Sequence, residues 1–333
     1  MEPISLFFAG DFCSSSPKSI VLDNQLKALI ASSDISVVNF EGPLRTSNYN
    51  MPNNTVLQQS DESPLWCEDN GFSIITLANN HINDFGQEGI IKTIESFKIA
   101  KTIGVGVWDE AYSVYYKKIK GKTIGFLSLS SADLGSLQNR WTDDGRLGSA
   151  WINHPSIDKI IIDAKLKCDY LFVLPHAGIE HIPVPLPEWR EKYMSLIDMG
   201  ANAIIASHPH IVQGYEKYKG APIIYSLGNF FFDYYSENGK PENWDKGMVI
   251  RIVINEEGLE IEPFFTSKIN NMLQLDENQD RRDELRKMSD ILYDKDSYLE
   301  LVNHYIMYRT PEFLSWLYSG LGVRSLVGQS LKN

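Results

Sequence analysis

Two histidines separated by one proline, His208 and His210, are the strongest chemical motif in the sequence. They follow an apolar run with the character of a β-strand, so their side chains would emerge at a strand end. Imidazole suits zinc, iron and nickel, whereas carboxylate and amide oxygens suit manganese and magnesium. Further donors of these kinds follow other apolar runs, namely Asp11, Glu41, Asn80 and His176. This mixed set predicts a site for Mn²⁺, Zn²⁺ or Fe rather than a thiolate zinc site.

The spacing of His208 and His210 suits two adjacent divalent metals, with one imidazole for each. Two metals about 3.5–4 Å apart lower the pKa of a bridging water and hold the oxygens of the group that is attacked. We therefore expect two divalent ions as cofactors and water as the nucleophile.

The elements that must position these donors are short apolar strands that alternate with helical patterns. The strands that precede the donors are predicted at residues 4–9, 35–40, 72–77, 170–174 and 201–206. The carboxyl ends of such strands border the crevice in which open α/β sheets bind ligands. Five strands that each deliver a metal-competent side chain to this border predict one shared site.

The remaining segments complete an α/β pattern. Helices are predicted at 19–31, 61–70, 87–100, 156–167 and 187–199, and further strands at 112–119, 122–129, 222–227, 247–254 and 259–264. Near-continuous apolar strands indicate sheets that are buried on both faces. Hairpins around Gly121 and 255–258 indicate sheets of mixed direction. Two polar stretches, 44–60 and 131–150, are expected to be loops that cover the substrate.

The C-terminal part of the chain has a different character. From about Asp276 it is densely charged, and it then shows helical apolar spacing from Tyr298 to Leu321. We predict a domain over residues 1–270 and a helical extension over 271–333. The extension could pack on the domain, cover the site, or mediate assembly, for example with a second copy of the chain.

Composition narrows the choice of partner and location. The 333 residues are 43% hydrophobic, enough for a substantial core, and carry a formal net charge of −12. A negative field repels nucleic acid and anionic lipid, so neither is expected as a partner, although bound cations would permit an anionic substrate. Three widely spaced cysteines give no disulfide framework. The sequence lacks a secretory signal and an apolar window of membrane-spanning length, so the chain as written is expected to be cytoplasmic.

Each donor taken alone has a simpler structural explanation. Asp11 after Gly10 could be a turn or helix-cap residue, and Glu41 before Gly-Pro could be a solvated loop acid. A single histidine such as His176 is more often a hydrogen-bonded structural residue than a ligand. No role is assigned to two further histidines that lack candidate partners, His154 and His304. Only the coincidence of several donors at strand ends favours a metal site.

Six motifs resemble those of the CapA family, which is named for capsule and poly-γ-glutamate synthesis proteins and is related to the calcineurin-like metallophosphoesterases. The motifs are AGDF at 9–12, VVNFEGPL at 37–44, LANNHINDFG at 77–86, LPHAGIEH at 174–181, ASHPHIVQGYE at 206–216 and YSLGNFFFD at 225–233. They occur in the family's order, and the resemblance covers residues 4 to about 265. It implies a four-layer metallophosphatase-like αββα sandwich of mixed sheets, to which the C-terminal helical appendage is added.

The resemblance also implies roles for single residues. It implies six metal ligands, which are Asp11, Glu41, Asn80, His176, His208 and His210. His81 is implied as a catalytic residue that donates to a substrate oxygen or leaving group. Asp84 is placed to orient His81, and Glu180 matches the acid of the family's His-x-Gly-x-Glu pattern. Substrate or supporting contacts are implied for Asn39, Asn79, Gln213, Glu216 and Asn229.

The sequence departs from the related phosphoesterases at two points. Those enzymes have Asp-x-His at the first strand, whereas this chain has Asp11-Phe12-Cys13. The missing histidine is typical of CapA-like proteins and weakens the prediction of a plain phosphatase. Cys13 could replace it as a ligand, but a buried structural thiol is the simpler interpretation. Ala177 stands where the family usually has an aromatic residue, a change that would enlarge or reshape the pocket.

Three functions are compatible with these residues. In the first, implied by the resemblance, metal-activated water attacks an amide or ester bond in an anionic polymer of the poly-γ-glutamate or capsule type, or in its precursor. His81 would protonate the departing group, which is worth roughly 10²–10⁴-fold in rate. The second function is phosphoester hydrolysis with the same ligands. The third is a non-catalytic component of a capsule or poly-γ-glutamate synthesis system.

Overall fold

Two large mixed sheets form the centre of the computed structural model, which describes residues 2–46, 56–131, 135–234 and 240–306. The larger sheet contains, in spatial order, β2 (Val21–Leu22), β18 (Met272–Asp276), β17 (Gly258–Ile269), β16 (Lys246–Asn255), β1 (Ile4–Cys13), β3 (Ile35–Phe40), β4 (Ile74–Thr76) and β5 (Lys101–Ile103), with β15 (Asn229–Phe232) paired to β1. The first half of β1 pairs with β16 in antiparallel direction, and its second half pairs with β15 in parallel direction. The end of β1 is therefore held between β15 and β3.

The second large sheet has six strands. They are, in spatial order, β13 (Tyr215–Tyr218), β14 (Ala221–Ile224), β12 (Ala203–Ile205), β11 (Tyr170–His176), β8 (Lys122–Ser130) and β7 (Tyr115–Ile119). A small third sheet is formed by β6 (Val105–Gly106), β10 (Gly148–Ala150) and β9 (Ser136–Leu137). The helices are α1 (Asn24–Ala31), α2 (Ser63–Asp69), α3 (Gly86–Ser96), α4 (Trp108–Ala111), α5 (Ile157–Lys165), α6 (Pro187–Asp198) and α7 (Gln279–Ile291), with a short 3₁₀ helix at Pro17–Ser19 and a further helix over 295–306.

The apolar core between the two large sheets explains why their strands are hydrophobic on both faces. Phe8 of β1 and Phe172 of β11 meet there with ring centroids 5.6 Å apart. The opposite face of the larger sheet is covered by α1, α2 and α3, which contribute Leu26, Cys67 and Ile90 to a second core. The opposite face of the six-stranded sheet packs against α5 and α6 in a third core. The layers follow the order helix, sheet, sheet, helix, which confirms the predicted αββα sandwich.

Several predicted element bounds are wrong. The helix predicted at 19–31 begins at Asn24, because Asp23 caps it by accepting a hydrogen bond from the Leu26 amide at 2.6 Å. The helix predicted at 87–100 ends at Ser96, since Glu68 accepts the amides of the next turn, from Lys98 onwards, in place of helix carbonyls. The strand predicted at 222–227 ends at Ile224. In the described part of the chain, eight short or late strands were not predicted, namely β2, β5, β6, β9, β10, β13, β15 and β18. These strands are defined by pairing with distant segments, which a local pattern does not record.

The predicted loops are only partly described. Residues 47–55 of the stretch 44–60 and residues 132–134 of the stretch 131–150 lie outside the described residues. Within 131–150 the structure contains β9 and β10, so this stretch is not a plain loop. Its proposed role in covering a substrate stays a prediction.

The C-terminal segment packs on the domain as far as it is described. Strand β18 lies beyond the predicted boundary at residue 270 and is paired with β17 in the larger sheet. The helix α7 follows, and the Ser289 hydroxyl on it accepts a hydrogen bond from the Tyr215 amide at 3.1 Å. In the helix over 295–306, Tyr298 is buried and donates to the Pro185 carbonyl at 2.7 Å. Residues 307–333 lie outside the described residues, and the predicted role in assembly stays a prediction.

Among the helices of the described residues, none combines the length and the apolar character that crossing a lipid bilayer requires.

Candidate metal centre

Asp11 reaches the site through an irregularity at the end of β1. The register of β1 against β3 shifts between Ala9 and Asp11, and its register against β15 shifts just after Asp11. Gly10 allows the close approach that this needs, because a Cβ atom there would lie 1.9 Å from the Gly228 carbonyl oxygen. The Asp11 amide then donates to that same carbonyl at 3.1 Å. The carboxylate of Asp11 is held fully buried at the carboxyl edge of the sheet.

Four of the predicted ligands lie close together. Ligand atoms of Asp11, Glu41 and His176 all lie within 4.8 Å of one another. His176 Nδ1 is 3.6 Å from Asp11 Oδ1, and its Nε2 is 3.8 Å from Glu41 Oε1. His210 makes the matching approach, with Nδ1 3.5 Å from Asp11 Oδ2 and Nε2 3.6 Å from Glu41 Oε1. Each of the two rings thus presents one nitrogen to Asp11 and the other to Glu41.

The other two predicted ligands join this group through His176. The Asn80 amide oxygen lies 2.8 Å from His176 Nε2, and His208 Nδ1 lies 3.2 Å from the same atom. The backbone amide of His208 also donates to Asp11 Oδ2 at 3.1 Å. All six predicted ligands, drawn from five strand ends, are therefore brought together, and their coordination of metal stays a prediction.

Glu41 is the least satisfied acid of the cluster. Both of its carboxylate oxygens are buried and have no hydrogen-bond partner in the part of the chain that the structure describes. Burial, and then the negative charges of Asp11, Glu180 and Asp84, raise the pKa of Glu41 well above its ordinary value. An isolated buried carboxylate is costly unless a cation or a proton neutralises it. The residues present therefore fit a divalent cation.

The pKa values of the neighbouring groups Asp11, His176 and His208 are lowered, in contrast to that of Glu41. Burial opposes ionisation of Asp11, but the hydrogen bond and charge of His176, with smaller contributions from His210 and the His208 amide, lower its pKa to about 2. Burial lowers the pKa of His208 to about 3 and also lowers that of His176. A pKa of about 2 leaves Asp11 a carboxylate at neutral pH, and a pKa of about 3 leaves His208 a neutral imidazole. These are the protonation states that a metal requires.

The turn 208–210 after β12 has a strained backbone. His208 and His210 have φ values of 99° and 59°, in the left-handed region that residues other than glycine rarely occupy. Such conformations cost about 1–3 kcal/mol each and persist where the surrounding structure imposes them. Here the turn places the His210 imidazole against the carboxylates of Asp11 and Glu41, and the His208 imidazole against His176.

His81 and Asp84 form a second feature beside the cluster. Asp84 Oδ2 lies 2.7 Å from His81 Nδ1 and also accepts a hydrogen bond from the Leu57 amide at 2.8 Å. This contact fixes the ring orientation and leaves Nε2 of His81 as the atom that can meet a substrate. The predicted pairing of the two side chains is present, and their catalytic role stays a prediction.

Glu180 lies within the electrostatic reach of the histidines. Its side chain is 44% exposed and its carboxylate is 3.6 Å from His181 Nε2. Burial of the group raises its pKa, but the charges of His210, His208, His181 and His81 outweigh this and lower it. A partly exposed acid at the rim of the cluster is compatible with the predicted catalytic role.

Three of the residues predicted to contact the substrate have side-chain amides that form hydrogen bonds within the protein. Asn39 donates to Asp11 Oδ1 at 2.8 Å, and Asn229 Oδ1 lies 2.9 Å from His210 Nδ1. Asn79 accepts from the Gly42 amide at 3.3 Å and donates to the Phe40 carbonyl at 2.9 Å. These contacts orient the metal-competent side chains and the segment around Glu41. These hydrogen bonds support a positioning role for the three asparagines, and they do not support direct contact with a substrate.

Gln213 and Glu216 are not brought to the cluster. The Gln213 amide donates to the Ile182 carbonyl at 2.7 Å. Both carboxylate oxygens of Glu216 pair with Arg190, at 2.6 and 2.7 Å, and one also accepts the Tyr225 hydroxyl at 2.6 Å. Among the described residues, Gln213 and Glu216 therefore form structural contacts away from the cluster.

Sequence reasoning missed three residues that support the cluster. Ser207 Oγ lies 3.1 Å from His176 Nδ1, and Gln59 Nε2 donates to the Glu41 carbonyl at 3.0 Å. The Trp244 ring packs on His210 with centroids 4.8 Å apart. Ser207 could have been suspected from its place before His208, but Gln59 and Trp244 lie in segments without a recognisable motif.

Three other residues behave as their simpler interpretation predicts. Cys13 packs in an apolar cluster with Leu57, Phe232 and Trp244, and burial raises the pKa of its thiol well above the ordinary value. A thiol of this kind is a poor metal ligand. His154 packs on the Trp108 and Tyr112 rings, and His304 is exposed.

Comparison with known proteins places these residues in a family. The family described as "Bacterial capsule synthesis protein PGA_cap" matches residues 7–234, which hold all six predicted ligands. The capsule biosynthesis protein CapA of Bacillus anthracis is 30% identical over 216 residues, which is 61% of this chain and 52% of that protein. The PGA biosynthesis protein CapA of Bacillus subtilis (strain 168) is 30% identical over 215 residues, 62% of this chain and 56% of that protein. The chain thus spans about half the length of these curated relatives.

Solved structures with a related architecture are more distant. A hypothetical protein from Thermus thermophilus has a TM-score of 0.49 at 14% identity, covering 80% of this chain and 100% of that one. The 5'-nucleotidase from Candida albicans has a TM-score of 0.46 at 10% identity, covering 92% of this chain and 58% of that one.

Proposed function

Because the chain belongs to the bacterial capsule synthesis protein family PGA_cap, we propose that it is a metal-dependent hydrolase of an anionic polymer or its precursor. The bond cleaved is an amide or ester in poly-γ-glutamate-like or capsule material, the substrate class that the names of its relatives suggest. One observation carries the proposal: within the described ranges, Glu41 is a buried carboxylate without a hydrogen-bond partner, and Asp11, His176 and His210 lie around it. Bound cations would neutralise the buried charge of Glu41 and would explain why its carboxylate is placed there.

The donor set would hold two divalent ions, Mn²⁺, Zn²⁺ or Fe, through Asp11, Glu41, Asn80, His176, His208 and His210. Metal ions at such a site supply Lewis acidity and lower the pKa of a water. The chain's own contribution is to hold the imidazoles and carboxylates together in a site from which the buried side chains exclude bulk water.

His81 is the proposed general acid. The Asp84 carboxylate at Nδ1 fixes the imidazole so that a proton on Nε2 can pass to the departing nitrogen or oxygen. Glu180, at the rim beside His181, is placed to accept a proton from the attacking water or to orient the substrate. The anionic character of the substrate is balanced by bound cations, since the chain itself has a net charge of −12.

Two measurements on the purified full chain test the proposal. Elemental analysis after loading with Mn²⁺, Zn²⁺ or Fe²⁺ should find bound metal, and γ-glutamyl oligomers should be cleaved by the loaded protein. Cleavage of an aryl phosphate without action on γ-glutamyl amides or acyl esters would instead support a metallophosphoesterase. Absence of metal after loading, together with absence of turnover, would support a non-catalytic role in polymer synthesis.

A further inference from the structure

Trp244 lies directly against the candidate metal centre without being one of its predicted residues. Its ring centroid is 4.8 Å from that of His210, and it also contacts the rings of Phe232 at 5.2 Å and His181 at 5.7 Å. His181 follows the rim acid Glu180, so the indole lies between the buried ligand His210 and the partly exposed rim. Only 7% of Trp244 is exposed.

The position of Trp244 is fixed by contacts to the same residue that orients His210. Asn229 donates to the Trp244 carbonyl at 3.0 Å, while its amide oxygen lies 2.9 Å from His210 Nδ1. Gly247, three residues further on, packs so closely that a Cβ atom there would be 2.1 Å from the Asn229 carbonyl oxygen. The segment 244–247 therefore packs tightly against β15, which restricts movement of the indole away from His210.

The indole nitrogen of Trp244 is the unexplained part of this arrangement. Nε1 is buried and has no hydrogen-bond partner among the described residues. A buried tryptophan N–H normally donates to an acceptor, and leaving it unpaired is unfavourable. The indole contacts the rings of His181, His210 and Phe232, and none of the three is hydrogen-bonded to Nε1.

We propose that Trp244 is a substrate-contacting residue whose indole N–H donates to an anionic oxygen of the substrate. The inference rests on the proposed function, in which the oxygen belongs to a carboxylate of the acidic polymer. An indole N–H is a neutral donor that suits one carboxylate oxygen at the edge of the ring. A phosphoryl oxygen would satisfy the same donor, so the test includes a phosphate probe.

The experiment measures ligand binding to the full chain loaded with Zn²⁺, by calorimetry, with a γ-glutamyl oligomer and with inorganic phosphate as separate probes. Trp244→Phe keeps an aromatic ring and removes the N–H, so we expect roughly tenfold weaker binding of the oligomer, with zinc content unchanged. The matched control is Trp141→Phe, because Trp141 is 91% exposed. Equal oligomer binding by wild type and Trp244→Phe, at equal zinc content, would overturn the proposal.

A second measurement does not depend on the variant being folded. Wild-type protein labelled with 5-fluorotryptophan should give one ¹⁹F resonance that Mn²⁺ broadens most strongly, from the ring beside His210. In the zinc-loaded protein this resonance should shift when the oligomer is added. If it shifts with phosphate only, the Trp244 contact is supported while the amide or ester substrate is not. If neither probe moves it, Trp244 is not a substrate contact.

Discussion

Asp84 Oδ2 lies 2.7 Å from His81 Nδ1, so that the carboxylate holds an imidazole near the cluster that is not a predicted ligand. We expect Asp84→Asn to lower kcat on the cleaved substrate by about 10–100-fold, because the amide no longer stabilises the imidazolium form or fixes the ring. Metal content, measured by elemental analysis, should not change. Asp109→Asn, at a side chain that is 73% exposed, serves as the control. Unchanged kcat in Asp84→Asn would remove the reason for assigning His81 a catalytic role.

His208 should be required for metal rather than for the fold. Its pKa of about 3, a result of burial and of the charge of His176, keeps the imidazole neutral and available as a ligand at neutral pH. We expect His208→Ala to weaken metal binding at least ~100-fold and to abolish turnover, with the circular dichroism spectrum unchanged. The exposed His304 gives the control His304→Ala. Full metal content in folded His208→Ala would contradict the assignment.

Glu41 should make the metal-free protein less stable as the pH rises. Burial, Asp11, Glu180 and Asp84 raise its pKa, while His176 and His210 face it from the other side. The folded metal-free protein thus keeps a proton that the unfolded chain releases above pH of about 4.3, and its stability falls from that pH upward, until the raised pKa is passed.

Glu41→Gln tests this effect by removing the titrating group while keeping its shape. We expect the metal-free variant to melt about 2–4 °C above the metal-free wild type at pH 8, with the difference shrinking towards pH 4. The same variant should bind metal more weakly. The exposed Glu257 provides a neutral comparison as Glu257→Gln. A lower melting temperature of Glu41→Gln at pH 8 would contradict this prediction, because it would mean that the folded metal-free protein stabilises the Glu41 carboxylate.

Glu216 should stabilise the fold and leave the metal centre unaffected. Its carboxylate is 3% exposed in a bidentate pair with Arg190, whose guanidinium also lies 5.2 Å from the Tyr298 ring centroid. Glu216→Ala leaves a largely buried cation without its partner, so we expect a loss of about 3–5 kcal/mol in the free energy of unfolding by urea. Glu260→Ala, at an exposed site, should cost far less. Unaltered stability combined with weaker substrate binding would instead support the prediction that Glu216 contacts the substrate.

The fold and the metal-competent residues could be predicted from sequence for one shared reason. Buried strands are apolar along their whole length, so the polar residue that follows each strand is conspicuous, as Asp11 and His176 are. Their convergence follows from the geometry of a sheet whose strands end at a common edge. The same logic failed after residue 210, where β13 and β15 are short and are defined by their partners β14 and β1.

The contacts of polar residues beyond the strand ends could not be read from the sequence. Gln213 and Glu216 share a motif with the histidines but turn into the scaffold, because Ile182 and Arg190 from distant segments satisfy them. Trp244 reaches His210 from a segment with no motif at all. Side-chain partners with such large sequence separation are set by packing, and local patterns carry no record of them.

The antiparallel pairing of β1 with β16 has a consequence for how the protein is made. The strand that carries Asp11 leaves the ribosome about 240 residues before its neighbour at Lys246–Asn255. Long-range pairing of this kind is slow and leaves early strands unprotected. A nascent chain that stops short of β16 therefore already contains the acids and the imidazoles of the cluster, but β1 still lacks its antiparallel neighbour.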